Sequence, residues 1–214
     1  MQITAEMVKD LRERTGAPMM DCKKALTETG GDAEKAVDEL RKRGIAKAAK
    51  KAGRATSEGV VGSYIHAGGK IGVLVEIACE TDFVARTDDF QDLVRDVAMH
   101  IAAAEPRFVR REEVDDAVLA HERQLFREQA VEAGKPEQVI DRIVDGKIEK
   151  FYSEAVLLEQ PFVKDSDKTV GELVAGMVGK LGENIQVRRF ARYRLGEELG
   201  APASAESETE SAAG

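Results

Sequence analysis

The stretch Cys79-Glu80-Thr81-Asp82-Phe83-Val84-Ala85-Arg86 decides the fold, because the spacing of apolar residues changes across it. Upstream, Ile71, Val73, Val75, Ile77 and Cys79 alternate along one face of a half-buried strand. Downstream, Phe90, Leu93, Val94, Val97, Ala98 and Ile101 recur at the spacing of an amphipathic helix. Asp88 is the expected start of that helix, with Gln91 three residues on completing a capping box. Residues 81–87 are then a connecting loop in which an acid and a large aromatic, Asp82 and Phe83, stand where the pattern offers the ring no core. Two readings are open. The pair is a probe directed at a partner, or Thr81 or Asp82 caps a helix and Phe83 packs beneath its first turn.

Working outward, residues 60–66 form a second strand, joined to the first across Ala67-Gly68-Gly69-Lys70, whose glycines suit an antiparallel hairpin. Three short helices precede it. Thr4 caps the first, which carries Ile3, Met7, Val8 and Leu11 on one side and ends at Gly16-Ala17; Pro18 opens the second, with Met19, Cys22 and Leu26. After Gly30-Gly31, Asp32 caps the third, bearing Ala33, Val37 and Leu40. Residues 1–44 therefore read as a compact three-helix module, similar in length and in its first loop to a ubiquitin-associated fold. That likeness is architectural and carries no ligand with it. Residues 45–58, beginning Ile45-Ala46-Lys47-Ala48-Ala49-Lys50-Lys51, read as a linker helix without a wide apolar stripe.

Beyond the central helix, Val118, Leu119, Leu125, Phe126 and Ala130 mark one helix, and Ile140, Ile143, Val144, Ile148, Phe151, Ala155 and Leu158 another that Pro136 opens. Val170, Leu173, Val174, Met177, Val178 and Leu181 mark a last helix, boxed by Thr169 and Glu172 and closed by Gly182. A final strand over residues 185–195 is expected to place Ile185, Val187, Ala191, Tyr193 and Leu195 on one face and Arg188, Arg192 and Arg194 on the other. The fold class is α+β: the three-helix module, the linker helix, and a core over residues 59–196 in which a small antiparallel sheet packs with helices and also serves dimerisation. Residues 197–214, rich in Glu, Ala and Ser, read as a disordered acidic tail.

Of 214 residues, 43% are hydrophobic and 34% charged, with a formal net charge of −8, which suits a globular protein that repels nucleic acid on average. No apolar run approaches the roughly 20 residues of a membrane span, and Met1-Gln2-Ile3-Thr4 lacks the features of a signal peptide, so a cytoplasmic location is expected. Cys22 and Cys79 suit reduced thiols rather than a disulfide, and His66, His100 and His121 lack metal-ligand spacing. Gly176-Met177-Val178-Gly179-Lys180-Leu181 lacks the spacing of a phosphate-binding loop, and Gly68-Gly69-Lys70-Ile71-Gly72 sits in a hairpin. The carboxylate pairs Asp88-Asp89 and Asp115-Asp116 suit helix starts. With no nucleophile elbow and no Cys–His pairing by sequence, a binding protein without cofactor or metal is expected rather than an enzyme.

Three longer motifs add to this reading. Leu11-Arg12-Glu13-Arg14-Thr15-Gly16-Ala17-Pro18-Met19-Met20-Asp21-Cys22-Lys23-Lys24-Ala25-Leu26, then Thr81-Asp82-Phe83-Val84-Ala85, then Glu159-Gln160-Pro161-Phe162-Val163-Lys164-Asp165 resemble the bacterial elongation factor Ts family, over residues 1–196. The resemblance implies a guanine-nucleotide exchange factor for elongation factor Tu, the GTPase that delivers aminoacyl-tRNA, met in its GDP-bound and nucleotide-free forms. It implies that Thr81, Asp82, Phe83 and Val84 form a loop intruding near the GTPase's magnesium site. Met19, Met20 and Lys23, with Arg12, would face the GTPase. No covalent step, cofactor or direct nucleic-acid contact is implied. The chain resembles the short form of the family, with one strand-containing unit and without an inserted helical hairpin before the Pro-Phe-Val motif. A sheet exposed near residues 185–195 points to a homodimer. Two rival readings differ in class: a helical adaptor whose core merely dimerises, and an RNA-binding accessory using Lys47, Lys50, Lys51 and the arginine strand.

Overall fold

The computed structural model describes residues 2–197. Helix α1 (Ala5–Thr15) begins where the Thr4 hydroxyl accepts from the Met7 N–H at 3.3 Å and ends at Gly16, whose φ of 66° suits a residue without Cβ. Helix α2 (Met19–Glu28) starts after Pro18, and α3 (Ala33–Lys51) after Asp32, whose carboxylate accepts from the Lys35 N–H. Val8, Leu11, Cys22, Ala25, Leu26, Ala36 and Leu40 close a small core among them. The core unit follows in the order β1 (Glu58–Ile65), β2 (Ile71–Cys79), α4 (Asp82–Ala85), α5 (Asp88–Ala104), α6 (Asp116–Glu132), α7 (Glu137–Ala155), β3 (Pro161–Phe162), β4 (Asp165–Thr169), α8 (Val170–Leu181) and β5 (Ile185–Arg194).

Strands β1, β2 and β5 make one antiparallel sheet with β2 central, and β3 and β4 a separate two-stranded ladder. The inner face of β2 meets α5 through Phe90, Leu93, Val94, Val97 and Ile101, while α8 adds Val170, Val174 and Val178 to the same core. The chain is α+β. Gly62 is needed where α5 crosses β1, since a Cβ there would lie 2.1 Å from Val94 Cγ1. The Thr169–Glu172 box forms, and α8 stops at Gly182 with φ 79°.

Several details differ from the sequence expectation. The third helix and the first part of the linker segment, residues 45–51, are one continuous helix of 19 residues, because α3 runs on past residue 44 against α8. Gly44 and Gly179 face each other there, and Ala48 packs against the main core. The cap of α5 is Thr87 rather than Asp88: its hydroxyl accepts from the Phe90 N–H at 3.3 Å, and Gln91 Nε2 donates instead to the Ala85 carbonyl at 2.7 Å. In β5 the facing of residues switches midway. Val187 pairs with Ile77 but Arg189 with Glu76, so Arg188 is an extra residue and the parity reverses beyond it. Phe190, Arg192 and Arg194 consequently share the inner face of Val75, Val73 and Ile71, while Ala191 and Tyr193 turn outward.

The expected lack of a helical hairpin before the Pro-Phe-Val motif is also corrected. Helices α6 and α7 form one, with Ala130, Ile140, Val144 and Ile148 as its seam and Phe126 packed against them. Gly134, at φ 65°, turns the chain between them, and Arg123–Asp145 and Arg127–Asp141 ion pairs bridge them. The acidic tail lies outside the described residues from residue 198 on.

Candidate partner-binding site

Residues 81–87 are not a plain loop. At the end of β2 the Thr81 hydroxyl accepts from the Val84 N–H at 3.4 Å and starts the single turn α4, and the Thr87 hydroxyl donates to the Val84 carbonyl at 2.8 Å at its far end. The capping reading holds in part: Thr81 caps a helix, yet Phe83 does not pack beneath it. Ala85 is buried and Val84 packs against the main core, whereas Phe83 is 79% exposed. The turn is thus pinned on two sides and offers one ring to solvent. The Asp82 carboxylate accepts from Arg86 Nη2 at 2.6 Å, a partly exposed pair one turn apart.

The root of this turn is held by residues that sequence reasoning did not find. Glu183 Oε2 accepts from the N–H groups of Glu80 and Thr81 at 3.1 and 3.0 Å, and Oε1 from the Thr81 hydroxyl at 2.7 Å. In return Glu80 Oε1 accepts from the Asn184 N–H at 2.6 Å, which with the Arg54 guanidinium nearby holds the Glu80 carboxyl below its ordinary range. Asn184 Nδ2 donates to the carbonyls of Ala52 and Arg54 just past α3. The buried Cys79 thiol, pushed up first by burial and then by the Glu183 charge, donates to the Thr81 carbonyl at 3.1 Å. Cys22 is likewise buried and free. Glu80 adjoins the motif, but nothing in the sequence marks Glu183 and Asn184, about a hundred residues on, as its supports.

The second group lies on the helical head. Pro18 starts α2 so that Cys22, Ala25 and Leu26 turn inward, leaving Met19 and Met20 45% and 72% exposed, with Lys23 exposed one turn on. Arg12 is exposed on α1, close enough for its charge to act on the Cys22 thiol. The structure brings Met19, Met20 and Lys23 together on one helix. It does not join them to residues 81–84: the two groups sit over separate cores, and among the described residues no hydrogen bond or ion pair connects them. Of the cations considered for RNA, Lys47 is paired with Asp21, Lys51 donates to the Gly182 carbonyl and Arg192 is paired with Glu105. Among the described residues no three His, Cys, Asp or Glu side chains gather as a metal site, and no helix is long and apolar enough to cross a membrane.

This geometry defines a class: an α+β protein that exposes two separate groups, residues 81–84 and Met19, Met20 and Lys23, over two cores. The model of the family described as Elongation factor TS matches residues 2–197. Proteins named Elongation factor Ts are similar along nearly the whole chain. That of Syntrophomonas wolfei is 63% identical over 195 residues, 91% of this chain and 91% of that protein. That of Geobacter metallireducens is 62% identical over 199 residues, covering 93% and 92%, and that of Koribacter versatilis 61% over 197 residues, covering 92% and 90%. The chain belongs to the elongation factor Ts family.

Proposed function

We propose that this chain, as a member of that family an exchange factor for elongation factor Tu in translation, releases GDP by setting the turn Thr81-Asp82-Phe83-Val84 beside the GTPase's magnesium and phosphate site. The observation that carries the reading is Phe83, 79% exposed on a turn whose neighbours are fixed to the core. A buried phenylalanine contributes on the order of 1.5–3 kcal/mol over an exposed one, so the ring gains by entering a partner. Magnesium demands near-ideal octahedral geometry, and a ring wedged beside it displaces the groups that hold it. Asp82, released from Arg86, competes for donors that otherwise serve phosphate.

The process is linkage. A factor that binds the nucleotide-free GTPase more tightly than the GDP form weakens GDP by the same ratio. Each ~1.4 kcal/mol of lost contact is tenfold in affinity. The head supplies binding that does not change with nucleotide: Met19 and Met20 adapt to an apolar surface of the GTPase, and the charges of Lys23 and Arg12 suit an acidic one beside it. No covalent chemistry, cofactor or nucleic acid enters the scheme, and its place is the cytoplasm, where translation runs. A homodimer belongs to the same reading, supported by the exposed outer residues Val61, Ile65, Leu74 and Tyr193 of the sheet.

The test is release of fluorescent GDP from elongation factor Tu into excess unlabelled GDP, with and without the chain and its Asp82→Ala/Phe83→Ala variant. Acceleration by the wild type alone supports activity and turn together. Equal acceleration by the variant moves the mechanism to the head. No acceleration by either removes the exchange reading in favour of the adaptor.

A further inference from the structure

We propose that Glu183, acting with Asn184, is a positioning residue that aims the exchange turn, and that this pair is the joint fixing the turn relative to the head. The proposal rests on the reading of residues 81–84 given above. One carboxylate collects three donors: the Glu80 N–H, the Thr81 N–H and the Thr81 hydroxyl, at 3.1, 3.0 and 2.7 Å. Hydrogen bonds to a charged acceptor are roughly twice as strong as neutral ones. Two of these donors are main-chain groups at the end of β2, where the ladder no longer supplies acceptors.

The third sets a direction. With its proton committed to Glu183, the Thr81 hydroxyl keeps a lone pair toward the Val84 N–H, the bond that starts α4. The axis of that single turn decides where Phe83 points. A helix of four residues has little cooperativity of its own, so its orientation depends on its cap. Glu183 therefore acts on Phe83 through Thr81.

Asn184 faces the other way. It is 3% exposed, its N–H holds the Glu80 carboxylate at 2.6 Å, and its side-chain amide reaches Arg54 O at 2.8 Å and Ala52 O at 3.3 Å, where α3 has run out. Lys51 of α3 donates to Gly182 of the same turn. Three consecutive residues, Gly182 to Asn184, thus hold both the helix that carries the head and the root of the exchange turn. A GTPase gripped by the head meets a turn already aimed, and no ordering cost falls on the exchange step.

The experiment measures GDP release from elongation factor Tu against factor concentration for the wild type, Phe83→Ala, Glu183→Ala and Glu183→Gln, with amide hydrogen exchange over residues 80–85 of each. Glu183→Ala is expected to lower the limiting rate roughly tenfold or more while the half-saturating concentration moves less than about twofold, because the loss is in the exchange step and the head is intact. Its amides at Thr81 and Val84 should exchange faster. Glu183→Gln keeps an oxygen for the two main-chain donors but loses the charge that strengthens those bonds, so its limiting rate and local exchange should fall between those of Glu183→Ala and the wild type. A wild-type limiting rate in Glu183→Ala, or a change in half-saturation alone, overturns the proposal. If Glu183→Ala does not fold, Glu183→Gln decides: a reduced limiting rate with faster local exchange supports the joint, and wild-type values of both overturn it. Should Phe83→Ala be slow while both Glu183 variants match the wild type, only this inference falls. Should the wild type fail to accelerate release, or Phe83→Ala match it, the reading of the turn falls and this inference with it.

Discussion

Phe83 and His100 show opposite uses of a ring in one chain. Phe83 is exposed between an N-cap and a buried alanine, so truncating it removes almost no contact within the protein. Phe83→Ala should keep folding stability within about 0.5 kcal/mol of the wild type, as surface changes do. GDP release should nevertheless slow at least tenfold; a melting curve and the release assay on one preparation check both. A large drop in melting temperature would mark the ring as core. His100 is fully buried. Its Nδ1 accepts from the Val163 N–H at 3.3 Å, which makes Nε2–H the donor to Gln160 Oε1 at 2.8 Å, and Gln160 in turn donates to the Ala104 and Glu154 carbonyls. The Gln-Pro-Phe-Val motif thus ties the ends of α5 and α7 to one neutral imidazole. Burial, opposed in part by the Gln160 hydrogen bond, lowers the His100 pKa from its ordinary 6.5. The unfolded chain then takes up a proton that the folded one refuses, so stability is full above pH 6.5 and falls as the pH drops below it. The slope reaches at most about 1.4 kcal/mol per pH unit for one proton. His100→Gln should flatten that part of the profile, and denaturant unfolding of the two proteins between pH 5 and 8 would show parallel curves if His100 does not contribute.

At the scale of elements, the contact between β1 and α5 depends on a missing side chain. A Cβ on Gly62 would overlap Val94 Cγ1 at 2.1 Å, so Gly62→Ala should cost about 1–3 kcal/mol as overpacking does. Adding Val94→Ala should return part of that loss, a coupling that a double-mutant cycle in denaturant reads directly; strict additivity would place the strain elsewhere. What was legible in the sequence follows from the range of the forces involved. The switch from alternation at Ile71–Cys79 to helical spacing from Phe90 on is local, as are the Thr4 and Asp32 caps and the Thr169–Glu172 box, and each forms. The cap of α5 was misplaced by one residue because Thr87 and Asp88 can both cap, and Gln91 had a better acceptor in Ala85. The facing of β5 beyond Arg188 was not legible, since a bulge depends on the partner strand. Both helices of the α6–α7 hairpin were legible from their apolar spacing, but their pairing was not, since the seam joins residues across a turn. In the candidate site, the acid and aromatic at 82 and 83 stood out because no local pattern absorbed them. Glu183 did not, because its donors lie 102 and 103 residues away and a glutamate after a helix-ending glycine is ordinary.

At the scale of the whole molecule, one sheet face is left without cover among the described residues. Helices α5 and α8 close the inner side, while Val61 and Ile65 of β1, Leu74 of β2 and Tyr193 of β5 are exposed on the outer side, beside Leu195. A sheet needs a second layer, and a contiguous apolar patch on a protein of this size marks an interaction surface. A second copy meets the requirement most simply, because a two-fold axis sets the same patch against itself and the Arg189–Glu76 pair at its edge can repeat across the axis. The apolar residues cluster toward the hairpin end of β2, near Gly72 and Leu74, whereas the exchange turn leaves its other end after Cys79. Pairing through this face would leave residues 81–84 of both copies open. The chain, of 23.3 kDa, should sediment as a dimer at micromolar concentration, and Leu74→Arg should give a folded monomer. A buried unpaired guanidinium on each side of the axis costs several kcal/mol, enough to shift a micromolar equilibrium by orders of magnitude. Because the turn and its Glu183–Asn184 support lie at the opposite end, the monomeric variant should still release GDP at a per-chain rate near that of the wild type. A wild type that sediments as a monomer at tens of micromolar would remove the dimer; a Leu74→Arg monomer without exchange activity would show instead that pairing helps to shape the turn.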